Sequence, residues 1–93
     1  MKEKISKSSG NVFADLGFSP EESALLSMRA ELMAKLREAI IQNGWTQTEA
    51  ASMLGISQSR VSDLVRGKYE KFSLDMLISL TTRAGKKVTL AVA

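Results

Sequence analysis

Neither cysteine nor histidine occurs anywhere in the 93 residues. Without cysteine there is no disulfide framework, no thiolate metal site and no sulfur nucleophile. Without histidine the usual general base, the Ser-His-Asp arrangement and most zinc sites are lost as well. The remaining carboxylates and lysines fall in no recognisable catalytic spacing, so no enzyme activity, cofactor or metal site is expected. No apolar run approaches the ~20 residues that span a membrane. The opening MKEKISKSSG carries positive charge with no apolar stretch behind it, unlike a secretory leader. The expectation is a cytoplasmic chain with no membrane contact.

What is present suits one small folded domain: 44% hydrophobic and 25% charged residues. The net charge of +3 is unevenly spread. Residues 1–43 hold six basic and six acidic side chains, while residues 44–93 hold seven basic against four acidic. The second half therefore carries the whole excess, which suits a polyanionic partner.

Residues 1–10 are polar and read as a flexible N-terminal arm, leaving a single domain over 11–93. Val12, Phe13, Leu16 and Phe18 form a small apolar island, either a helical turn packed on the domain or a segment that awaits a partner. Ser19-Pro20-Glu21-Glu22 is a strong helix start, with a capping hydroxyl, proline at the first helical position and a capping-box acid. This helix should run from Pro20 to about Asn43 and stop at Gly44. Its apolar stripe (Leu25, Leu32, Leu36 and Ile40, with Leu26, Met28, Met33 and Ile41 nearby) is wide enough for two surfaces. Thr46 and Glu49 form a second capping box, for a helix ending by Leu54. Ser57 caps a third helix that ends at Arg66, and Ser73 caps a fourth, closed by Gly85. Val88, Leu90 and Val92 alternate with smaller residues over 87–92, the period of a strand. A lone strand is not stable, so this one needs a partner, most simply its counterpart in a second copy. The fold class expected is thus all-α, with about five helices and a C-terminal β-strand pairing across a homodimer.

Residues 46–66 work as one unit. Ala50 and Ala51 allow a close helix approach, Gly55 supplies a left-handed corner, and Leu54, Ile56, Val61 and Leu64 continue the apolar face. Two short helices crossing steeply around such a corner make a helix-turn-helix. TQTEAASMLGISQSRVSDLVRGK resembles the lambda-repressor/Cro-like (XRE) family, and the whole chain is similar to small HigA-type antitoxins of that family.

The resemblance implies a double-stranded DNA partner with a near-palindromic operator. The second helix would lie in the major groove. Gln58, Ser59, Ser62 and Asp63 would face base edges there, and Arg60 would meet either a guanine or a phosphate. Asp63 is ill suited to a phosphate-lined groove unless it is paired, by Arg66 or Arg60, or accepts from a cytosine amine. Thr46, Gln47, Ser57, Arg66, Lys68 and Lys71 are the phosphate candidates. The antitoxin resemblance adds a small ribonuclease toxin as partner, with Val12, Phe13, Leu16 and Phe18 as its candidate contact. Two rival readings are a stand-alone phage- or plasmid-type regulator and an interaction module that has lost DNA.

Overall fold

The computed structural model describes residue 13 and residues 15–93. The arm 1–10 and Val12 lie outside the described residues. Four α-helices follow one another: α1 (Pro20–Gln42), α2 (Gln47–Leu54), α3 (Gln58–Val65) and α4 (Leu74–Arg83). A 3-10 turn, Tyr69–Lys71, lies between α3 and α4.

Each helix begins where a hydroxyl can satisfy an otherwise orphaned N–H group. Ser19, Thr46, Ser57 and Ser73 accept from the backbone of Glu22, Glu49, Arg60 and Met76 respectively. Ser19–Glu22 and Thr46–Glu49 are complete capping boxes, with each carboxylate accepting from the cap residue's own N–H. The Ser19 backbone N–H, helped by the Ser19 hydroxyl, holds the Glu22 carboxyl below its ordinary range.

α1 is long enough, at about 1.5 Å per residue, to cross the whole domain. Met33, Leu36, Ala39 and Ile40 in its second half are buried, whereas Leu25 and Met28 in its first half stay exposed. The wide stripe is thus divided mainly along the helix rather than around it. α4 packs on the buried half of α1 through Leu77 and Leu80, and Phe72 fills the centre with Leu54, Val61 and Leu64. Trp45 packs against this core from its edge. The buried Thr81 hydroxyl is satisfied by donating to the Leu77 carbonyl at 2.6 Å.

Two expectations are corrected. The described residues hold four α-helices rather than about five: the stretch after Lys68 makes only a three-residue 3-10 turn. In the apolar island, Leu16 and Phe18 both donate to the Phe13 carbonyl, which closes a turn. Phe13 and Asp15 of the island are themselves helical, just ahead of that turn. The second correction concerns residues 87–92, which form no strand. Val88, Leu90 and Val92 do alternate, but no neighbouring strand exists among the described residues to accept their backbone hydrogen bonds. The segment leaves α4 through a fixed start, with the Lys86 N–H on the Thr81 carbonyl and its ammonium 3.0 Å from Gln42 Oε1. Beyond it, Val88, Leu90 and Ala91 border a groove of about 540 Å³ against Met28, Leu32 and Ile78.

Candidate nucleic-acid interface

The turn between α2 and α3 sets the geometry of this surface. Gly55 ends α2 with φ +71°, the left-handed value that side-chain-bearing residues adopt only with strain. Its N–H and that of Ile56 both return to the Ala51 carbonyl, at 2.9 and 3.0 Å. A second lock comes from far along the chain. Arg83, in the last turn of α4, donates from Nη1 to the Leu54 carbonyl at 2.6 Å. That guanidinium satisfies an orphaned carbonyl at the end of α2 and lies 3.3 Å from where a Cβ on residue 55 would stand. Nothing in the local sequence points to Arg83 in this role, because the contact joins residues 29 apart.

α3 is divided by its own periodicity. Val61 and Leu64 are buried, while Gln58 and Ser59 at its start are exposed and Ser62, one turn on, is half-buried. None of these three outer side chains makes a hydrogen bond to another described residue.

Arg60 is placed differently. Its Nη1 donates to the Lys71 carbonyl at 2.9 Å, Nη2 reaches Met76 Sδ at 3.5 Å, and its charge sits 4.9 Å from the Phe72 ring centre. The guanidinium therefore ties α3 to the 3-10 turn and to α4.

Asp63 faces neither Arg60 nor Arg66. Its two carboxylate oxygens each lie 4.0 Å from an ammonium, Oδ1 from Lys68 and Oδ2 from Lys71. Both lysines reach it because they are three residues apart around a 3-10 turn, where side chains at that spacing eclipse. The Lys68 N–H also donates to the Asp63 carbonyl, so the turn is bound to α3 by its main chain.

At the other end, Thr46 and Gln47 are exposed at the start of α2. The Thr46 N–H is already taken by the Glu49 carboxylate at 2.8 Å. The Ser57 hydroxyl accepts from the Arg60 N–H and keeps its own proton to donate. Arg66 is exposed at the end of α3.

The apolar island meets this region from the side. Phe13 is half-buried and packs edge-on against Phe18 and against Tyr69, at 6.2 and 6.0 Å between ring centres. Leu16 and Phe18 remain exposed.

A short helix crossed over another at a left-handed glycine, with a polar outer face on the second, defines the helix-turn-helix class. A family model described as a helix-turn-helix domain matches residues 12–93, and the chain belongs to that family. Membership suggests a DNA-binding regulator. No curated protein matches the chain. No described helix is long and apolar enough to cross a membrane.

Proposed function

We propose that the protein is a sequence-specific DNA-binding repressor that acts as a homodimer. In this reading it is also the antitoxin of a type II toxin–antitoxin pair, repressing its own operon and neutralising a small ribonuclease toxin. The observation that carries the DNA reading is the outer face of α3, where the Gln58, Ser59 and Ser62 side chains have no hydrogen-bond partner among the described residues. A helix with its side chains is about 10–12 Å across and enters a groove of about that width. Gln58 then pairs with an adenine edge, and Ser59 and Ser62 complete the direct readout. Lys68, Lys71, Arg66, Ser57, Thr46 and Gln47 take phosphates on either side. Arg60 serves to hold the 3-10 turn rather than to read bases.

The antitoxin part is supported by the resemblance to small HigA-type proteins and by Leu16 and Phe18, exposed beside the domain. The dimer is supported by Leu90 and Val92, exposed at 85% and 86% on a segment of strand periodicity. Pairing with the same segment of a second copy would supply the missing ladder and a two-fold axis for a palindromic site.

Fluorescence anisotropy with DNA from upstream of the protein's own reading frame, at stated salt, tests the reading. Binding should exceed that to random duplex by about 10³-fold or more. Gln58→Ala should lower operator affinity by about 1–3 kcal/mol while sparing random-sequence binding. Equal affinity for both DNAs removes the repressor reading. Purification from the native operon without a bound product of the neighbouring gene removes the antitoxin part and leaves a stand-alone regulator.

A further inference from the structure

Asp63 is an acid on the helix that the proposed function places against a polyanion. Its side chain is only 20% exposed, and the two ammonium groups beside it, on Lys68 and Lys71, are 39% and 50% exposed. At 4.0 Å these charges attract but do not hydrogen-bond. A lysine on a phosphate oxygen closes to about 2.7–2.9 Å. The lysines are thus gathered at one point and left with their strongest bonds unmade.

The place itself does not depend on the carboxylate. The 3-10 turn is anchored by Arg60 on the Lys71 carbonyl and by the Lys68 N–H on the Asp63 main chain. Removing the carboxylate alone leaves both anchors in position.

We propose that Asp63 is an internal competitor for phosphate: in the free protein its carboxylate occupies the position between Lys68 and Lys71 that a DNA phosphate takes in the complex. The proposal rests on the DNA-binding reading. Its consequence is a restraint on sequence-independent binding, which is carried almost wholly by phosphate contacts. A duplex phosphate has to displace the carboxylate before it gains both lysines.

The test is binding of random-sequence duplex DNA across a salt series by wild type, Asp63→Asn, Lys68→Ala/Lys71→Ala and the triple variant. Asp63→Asn should raise affinity by about 3- to 10-fold at low salt. It should also steepen the dependence of log K on log salt by about one ion. Without the two lysines the same substitution should gain twofold or less. Asp63→Ser, which removes the charge with a smaller side chain, should agree, so the result does not hang on one variant's folding.

Unchanged or weakened binding by both Asp63 variants overturns the proposal. So does an equal gain without the lysines, since Asp63 would then act only as an isolated like charge. Wild type with no affinity for any duplex overturns the DNA-binding reading as well, which separates that failure from this one.

Discussion

Single side chains set how firmly α3 is held. Gly55 is constrained twice, by its positive φ and by the Arg83 guanidinium packed 3.3 Å from where a β-carbon would stand. Gly55→Ala should therefore destabilise the domain by about 1–2 kcal/mol in urea unfolding. Arg83→Met removes the donor to Leu54 and should cost a similar amount, about 1–2 kcal/mol. The two costs should not add. With Arg83 replaced, only the backbone part of the alanine penalty remains, and a double-mutant cycle should read the difference as a coupling. Arg60 illustrates the same principle at the other end of α3. Charge alone makes it a candidate for DNA, but a ring face and a main-chain carbonyl within reach claim it for the fold.

Helices in this protein are written locally at their starts and distantly at their fastenings. The Ser19–Glu22 box gives a pH signature at the element scale. Because the folded carboxyl is held below its ordinary value, its contribution to stability is present above the unfolded pKa, near 4.5, and is lost as pH falls through the depressed folded value. Glu22→Gln should thus melt below wild type at neutral pH, and the gap between the two should close on acidification. A constant gap down to strongly acidic pH would show that the cap does not depend on the charge. All four N-caps and the glycine corner are legible from the sequence, because each involves residues no more than five apart. The Arg83 lock, the Arg60 anchor and the pairing of Asp63 with Lys68 and Lys71 are not. They depend on how α4 and the 3-10 turn come to lie against α2 and α3, which no local pattern encodes. The 87–92 alternation is not realised as a strand for a related reason: it records a preference for pairing, and the described residues of one chain offer nothing there to pair with.

At the scale of the whole molecule, the most exposed apolar side chains include Leu90 and Val92 near one end and Ile41 at the end of α1, while the outer face of α3 presents Gln58, Ser59 and Ser62. Leu90 and Val92 at one end stand almost fully in solvent, next to a groove lined by Met28, Leu32 and Ile78. Deleting residues 86–93 should convert the proposed dimer to a monomer in sedimentation velocity while leaving the helical circular dichroism signal intact. An unchanged dimer would move the interface elsewhere. The middle is organised on another plan. On α3 the side chains that hold the domain together (Arg60, Val61 and Leu64) interleave with three that bond to nothing within it, Gln58, Ser59 and Ser62. Mutation can thus exchange the outer three without spending the stability invested in the inner three. On the proposed DNA reading, lineages descended from such a chain can drift from one operator to another with the scaffold intact, and a designer randomising those three positions works on an alphabet already separated from the page it is printed on.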